Sequence, residues 1–359
     1  MRLWFLTAYD PGLPLYNVPI ALRVEGVLDP RALGRALTRM TDRHTVLRSV
    51  FPQVAGVPVQ RVTPVSDIAV DVRDFTGADT GAARAAASAW LRRRMDLPFD
   101  LATGPLLRAH MARIADDEAL LLISLHHIVF DRWSQENFLA EISEFYRAER
   151  AGRTAELPGL PVQYADFAVW QRAALTTGAM RAQLAYWRER LRDLPLRWNC
   201  TDSAHGPNGA PTRATSSRSR WTARPVSRWC GWPAPRAARP SWSSWPATSS
   251  PCTGPAAART CWSASPSRWL RPEVEPLIGF FVNTLPIRAD LSGAPGFREV
   301  LSRVRRTALD AYAHQEIPFD HLVGELRPPR ARNRDPFFDV LFAFQNVPRG
   351  EDSTWTECA

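Results

Sequence analysis

The sequence predicts an α/β chain folded into two lobes, and three observations carry the prediction. Residues 120–125 are an apolar run, broken only by Ser124, behind the turn pair Asp116-Asp117, short enough to be a strand buried on both faces. Phe138, Leu139, Ile142, Phe145 and Tyr146 then recur at helical spacing, so the strand hands over to an amphipathic helix. The length of 359 residues is enough for two lobes, each with its own core.

The elements follow in order. Ile20, Leu22 and Val24 alternate with Ala21, Arg23 and Glu25, the pattern of a half-buried strand. Asp29-Pro30 opens a helix, with the aspartate as cap and proline in the first turn, and Leu33, Leu37 and Met40 mark its buried face. Residues 82–95 read as a second helix, and 104–108 lead into a strand. Ser134 is the expected cap of the helix after the central strand. Residues 164–170 form an aromatic-rich segment read as packing near the junction of the lobes, and residues 181–192 continue as a helix. Phe297, Val300, Leu301 and Val304 mark another helix, and residues 340–344 a last strand.

One window breaks the pattern. From Thr201 to Trp269 the only residue among Leu, Ile, Val, Met, Phe and Tyr is Val226. A disordered Pro/Ser/Arg-rich linker is one reading, since so little apolar surface cannot offset the entropy of ordering. Linkers are poor in Trp, however, and eight of the fourteen Trp lie between Trp198 and Trp269. A reading frame displaced by one base accounts for this better. Each Trp or Cys codon then reads as Leu, Val or Met, and each TCN serine codon as Phe, Leu, Ile or Val. Residues 197–269 are therefore expected to be disordered or mis-framed.

The same window explains the charge. The chain carries a net +9, and all 45 basic residues are Arg. Nine Arg against the single acid Asp202 fall in residues 201–270, so the remainder is close to neutral and a nucleic-acid partner is excluded. Cys200, Cys230, Cys252 and Cys261 lie in or beside the window at spacings that suit neither zinc nor a disulfide framework. No stretch is long and apolar enough to span a membrane, and residues 1–6 are too short for a secretory signal, so a cytoplasmic protein is expected.

Chemistry concentrates at the end of the central strand, in His126-His127-Ile128-Val129-Phe130-Asp131-Arg132-Trp133-Ser134. A rigid strand end fixes an imidazole against its target and so suits a catalytic base. No third and fourth ligand follows at usable spacing, so a metal site is not expected.

This His-His-x-x-x-Asp-x-Trp-Ser run resembles the signature of the condensation domain of nonribosomal peptide synthetases. Six further segments resemble motifs of that family, in order. They are Arg2-Leu3-Trp4-Phe5-Leu6; Arg43-His44-Thr45-Val46-Leu47-Arg48-Ser49-Val50-Phe51; Tyr164-Ala165-Asp166-Phe167-Ala168-Val169-Trp170; Ile278-Gly279-Phe280-Phe281-Val282-Asn283-Thr284; His314-Gln315-Glu316-Ile317-Pro318-Phe319-Asp320; and, more loosely, Arg332-Asn333-Arg334-Asp335-Pro336-Phe337-Phe338. Tyr16-Asn17-Val18-Pro19 and the Trp133-Ser134 ending resemble the subtype that joins an L-configured donor to an L-configured acceptor. The chain begins late and stops early against the family's pattern, and residues 351–359 look unrelated to it.

The resemblance implies two chloramphenicol-acetyltransferase-like lobes in a V arrangement, residues 1–175 and 176–359, with the second lobe incomplete. It implies a tunnel between them, lined in part by Arg132, Trp133, Ser134 and Asn283. His127 is the implied base or orienting group for an attacking amine, and His126 supports the loop. Asp131 is implied to hold the loop through an ion pair with Arg48 or Arg43. The implied partners are donor and acceptor peptidyl carrier proteins, each bearing phosphopantetheine, and a neighbouring adenylation domain. No cofactor is expected on the domain itself. Arg132 stands where the family has glycine, and a bulky residue there is expected to obstruct the tunnel or distort the turn. Two other readings stay open: an inactive truncated remnant, and a stand-alone acyltransferase using coenzyme A thioesters.

Overall fold

The computed structural model describes residues 2–9, 12, 14–77, 79–192, 258–265, 272–290, 292–293, 295–328, 337, 341–343 and 354–356. In chain order its elements begin with α1 (Arg2–Tyr9), β1 (Asn17–Glu25) and α2 (Pro30–Arg43). Four two-residue strands follow, β2 (Ser49–Val50), β3 (Gln53–Val54), β4 (Val57–Pro58) and β5 (Arg61–Val62). Next come β6 (Val70–Asp74), α3 (Thr80–Met95), β7 (Leu107–Ala115), β8 (Glu118–His126), α4 (Ser134–Ala151), α5 (Tyr164–Ala174) and α6 (Gly178–Arg190). The rest are β9 (Ala258–Ser265), β10 (Asn283–Asp290), α7 (Phe297–Ala313), α8 (Phe319–Leu326), β11 (Leu341–Ala343) and β12 (Thr354–Thr356).

The chain divides into two compact units. One is Met1–Ala174 with Arg268–Val282 and Val347–Ala359; the other is Leu175–Ser267 with Asn283–Asn346. Residues 268–282, expected from sequence to sit in the second lobe, thus belong to the first.

The first unit is built on a five-stranded sheet in the order β12-β1-β8-β7-β6. β8 is antiparallel to β1 and β7, and β12 and β6 add in parallel at the two edges. Leu121, Ile123 and Leu125 of β8 join Ile20, Leu22 and Val24 of β1 in one core with Leu33, Leu37 and Met40 of α2 and Phe138, Ile142 and Tyr146 of α4. Leu122 points the other way, into a second cluster with Ala83, Ala87 and Trp90 of α3 and Ala112 and Ile114 of β7. The central strand is apolar on both faces over most of its length because it has a helix layer on each face. Each large side chain buried there contributes about 1.5–3 kcal/mol.

Local sequence fixes the helix ends. Asp29 accepts the Arg31 N–H at 2.8 Å with Pro30 in the first turn, as the sequence predicts. The backbone N–H of Asp29 donates to the Tyr146 hydroxyl at 3.0 Å, which ties the start of α2 to α4. Asp79 caps α3 by accepting from the N–H groups of Gly81 and Ala82. Gly152 ends α4 in the left-handed region at φ 64°.

The second unit holds a three-stranded sheet in the order β10-β9-β11, with α7 packed against β10. β9 pairs antiparallel with β10 and parallel with β11. It lies inside the window where the sequence shows no periodicity. Backbone pairing on both sides accounts for a strand there, since ladder hydrogen bonds need no particular side chain. Residues 197–257 and 266–269 of that window lie outside the described residues, as do residues 332–336 and 338 of the last motif. No helix among the described residues is long and apolar enough to cross a membrane.

Candidate active site

The candidate site lies within the first unit, where β8 ends, the turn of residues 127–133 follows and α4 begins. Residues 278–282 close it from one side. The two histidines sit in opposite settings. His126 is 2% exposed. Its Nδ1 accepts the Ile128 N–H at 3.1 Å, so that nitrogen carries no proton, and Nε2 faces the Thr7 hydroxyl at 3.4 Å. Burial, with His127 beside it, pushes its pKa down from 6.5 to about 4. His126 is therefore a neutral brace for the turn.

His127 has the other tautomer. Its Nδ1 lies 2.7 Å from the Phe130 carbonyl, which can only accept, so Nδ1 carries the proton. Its backbone N–H donates to the Tyr16 carbonyl at 2.8 Å. Nε2 is left with its lone pair and no hydrogen-bond partner among the described residues. The ring meets the Phe280 ring edge to face, with centroids 5.1 Å apart. His127 is partly exposed, and its free nitrogen is the one basic atom that this turn presents to a substrate.

Asp131 is 1% exposed and makes no hydrogen bond to the His127 ring. Its Oδ1 accepts the Ser134 N–H at 3.0 Å, and its Oδ2 accepts the N–H groups of Phe281 at 2.7 Å and Val282 at 3.0 Å. The Ser134 hydroxyl lies 2.9 Å from both Asp131 Oδ1 and the Gly279 carbonyl, and accepts the Gly279 N–H at 3.0 Å. Burial pushes the Asp131 carboxyl up from its ordinary value, and the Ser134 and Phe281 donors and nearby His127 pull it back.

This overturns two expectations. Asp131 is held by backbone and serine donors and not by an arginine. Arg48 Nε donates to the Thr41 carbonyl at 3.1 Å and its Nη1 to the Thr63 carbonyl. Arg43 Nε donates to Glu141 Oε2 at 3.1 Å and its Nη2 to the Pro158 carbonyl at 2.6 Å. The three backbone N–H groups meet the carboxylate's demand, so the ion pair is not needed there. Ser134 is likewise not the cap of α4 but its first residue, and Asp131 accepts its N–H.

Arg43 and His44 reach the site indirectly. His44 Nε2 lies 2.6 Å from Glu141 Oε2, the same oxygen that takes Arg43. Glu141 is on α4, so the pair pins the helix whose first turn carries the Asp131 clamp. Gln163 extends the brace, accepting from the Thr45 N–H and hydroxyl and donating to the Arg43 carbonyl.

Arg132 is exposed and donates to Gln135 Oε1. Among the described non-glycine residues only Ala55 and Arg327 have positive φ, so the turn accommodates arginine without left-handed backbone. The expected distortion is not found. Trp133 is half-buried just before α4.

Asn283 lies in the second unit, not in this site. Its Nδ2 donates to the carbonyls of Gln315 at 3.0 Å and Ile317 at 2.8 Å, and its Oδ1 accepts from the N–H groups of Thr284 and Phe319, both at 3.0 Å. Every hydrogen-bonding position of the amide is used in joining β10 to α8. It is a structural latch within the second unit.

Sequence reasoning placed Gly279, Phe280 and Tyr164 in motif segments, and read the segment of Tyr164 as packing, but named none of the three as a site residue. The Tyr164 hydroxyl donates to the Phe280 carbonyl at 3.0 Å. Burial first, and Asp131 second, push its pKa above the ordinary value. A Cβ on Gly279 would stand 2.2 Å from Tyr164 Cδ2. The signal was legible: a glycine inside an apolar run marks close approach of another group.

Comparison with known proteins places these features. The family model described as the condensation domain matches residues 1–205 and 263–357. A linear gramicidin synthase of Brevibacillus parabrevis is 38% identical over 359 residues, covering 96% of this chain and 4% of the synthase. A phosphinothricin tripeptide synthetase of Streptomyces viridochromogenes is 35% identical over 353 residues, covering 96% of this chain and 32% of the synthetase. The chain thus spans a third or less of the length of either relative. Among solved structures, the complex of the X-domain and OxyB from teicoplanin biosynthesis matches with TM-score 0.77 at 25% identity, covering 95% of this chain and 74% of that one. The first condensation domain of the calcium-dependent antibiotic synthetase, in complex with a substrate analogue, matches with TM-score 0.71 at 20% identity, covering 90% and 76%, a likeness of fold.

Proposed function

The chain belongs to the condensation-domain family, and from that premise we propose that it joins two carrier-bound thioesters through an amide bond. The α-amine of an acceptor aminoacyl thioester attacks the carbonyl of a donor acyl or peptidyl thioester. The C–N bond forms, the C–S bond breaks, and the donor carrier's thiol leaves.

The observation that carries this reading is the His127 tautomer. With Nδ1–H committed to the Phe130 carbonyl, the ring in its neutral form offers Nε2 as a fixed acceptor for an amine N–H. That bond aims the amine's own lone pair at the carbonyl. As the C–N bond forms, Nε2 takes the amine proton and returns it to the departing thiolate. Asp131 does not share in this transfer; it holds the turn that holds His127.

The proposed partners are a donor and an acceptor peptidyl carrier protein, with an adenylation domain as neighbour. Phosphopantetheine arrives on the carriers and is not a cofactor of this chain. The much greater length of the related synthetases, which leaves room for such partners, supports this assignment.

The test is amide formation from donor and acceptor thioesters loaded on carrier proteins, wild type against His127→Ala. A loss of about 100-fold or more is expected, the usual worth of a positioned general base. A variant that matches the wild type would overturn the reading. Offering the donor as a coenzyme A thioester in parallel separates carrier-dependent from free-standing acyl transfer.

A further inference from the structure

The segment that closes the site is fixed by its backbone, and the Phe280 side chain takes no part in that clamp. The Gly279 N–H donates to the Ser134 hydroxyl, whose single proton is shared between Asp131 Oδ1 and the Gly279 carbonyl. The Phe280 carbonyl is held by Tyr164, and the N–H groups of Phe281 and Val282 by Asp131. Gly279 has no side chain, and Phe281 turns inward to Tyr164 and Phe167, with ring centroids at 5.3 and 5.1 Å. Among the described residues' aromatic rings, the Phe280 ring is the one that stands against the catalytic imidazole, perpendicular to it at 5.1 Å, and both residues are partly exposed. No hydrogen bond of the clamp runs through that ring. The clamp would hold with another side chain at this position, while the space beside the imidazole would change.

We propose that Phe280 is a specificity-determining residue that limits the size of the acceptor side chain. An amine hydrogen-bonded to Nε2 lies about 3 Å from it. The acceptor's side chain branches from the very next atom, so it must share the space beside the imidazole with the Phe280 ring. A large ring held by an immobile backbone favours small acceptors. The inference rests on the proposed reaction at His127, but its test does not depend on turnover.

The test measures binding of aminoacyl pantetheine amides carrying alanine, valine or phenylalanine to the full chain. Wild type is compared with Phe280→Ala and Phe280→Leu. The expected result is a ratio of affinities, phenylalanine probe to alanine probe, that rises roughly tenfold or more in Phe280→Ala and by less in Phe280→Leu. A structural role alone would weaken all probes together and leave the ratio unchanged. An unchanged ratio, binding of no probe by any of the proteins, or a ratio that moves only when donor acyl pantetheines are varied would each overturn the inference. A His127→Ala chain with wild-type turnover would instead count against the proposed reaction and leave the affinity ratios standing on their own result.

Discussion

Two adjacent histidines do different work here because their partners differ. His126 accepts from an amide that can only donate, and His127 donates to a carbonyl that can only accept. Opposite tautomers follow, and only His127 keeps a free basic nitrogen. The depressed pKa of His126 also makes stability depend on pH. In the unfolded chain this group protonates near 6.5, and in the folded chain only near 4. Between those values the unfolded state binds more protons, so acid favours unfolding and stability is lost as pH falls from 6.5 toward 4. The full difference corresponds to about 3 kcal/mol. Urea unfolding of wild type and His126→Asn at about pH 7 and about pH 4.5, either side of most of that titration, measures it, since asparagine can still accept from Ile128 but does not titrate. Wild type is expected to lose more stability over that interval; equal losses would refute the assignment. The pair was visible in the sequence, but the tautomers were not, because they depend on where Phe130 and Ile128 place a carbonyl and an amide.

At the scale of elements, the turn after β8 is locked by a segment far along the chain. Residues 278–282 give Asp131 two of its N–H donors, and Gly279 lets Tyr164 lie directly on the backbone. Gly279→Ala would put a methyl group 2.2 Å from a buried ring carbon, so the ring or the segment must shift. A loss of about 1–3 kcal/mol is expected, the usual cost of overpacking. Adding Tyr164→Leu should recover part of it, because the two sites share one contact. Thermal unfolding of the single and double variants checks this; a single variant as stable as wild type would refute the packing. The sequence showed a loop aspartate and a later apolar run with one glycine. It could not show that they meet, and the arginine partner expected for the aspartate came from the family resemblance. Arg43 instead supports the loop through Glu141 and the body of α4.

For the whole molecule, the family match stops at residue 205 and resumes at 263, bracketing most of the window whose composition is foreign to the rest. We propose that this window is read in a displaced frame. Resequencing the coding DNA from the codon for Leu194 to that for Pro276 is expected to find compensating insertions or deletions. DNA that stands as translated would refute the proposal, and the second unit would then have to be judged with the apolar-poor window as written. The sequence alone determined the α/β class, the central strand, the helices around it and the two histidines at its end. Those follow from local periodicity and short motifs, which neighbouring residues encode. Tertiary structure alone decided the partners of Asp131, the tautomers, the inward place of Tyr164, the return of residues 268–282 to the first unit and the use of Asn283 as a latch. Each of these depends on groups far apart in the chain whose meeting is set by packing, and no local pattern records which distant donor reaches a buried acceptor first.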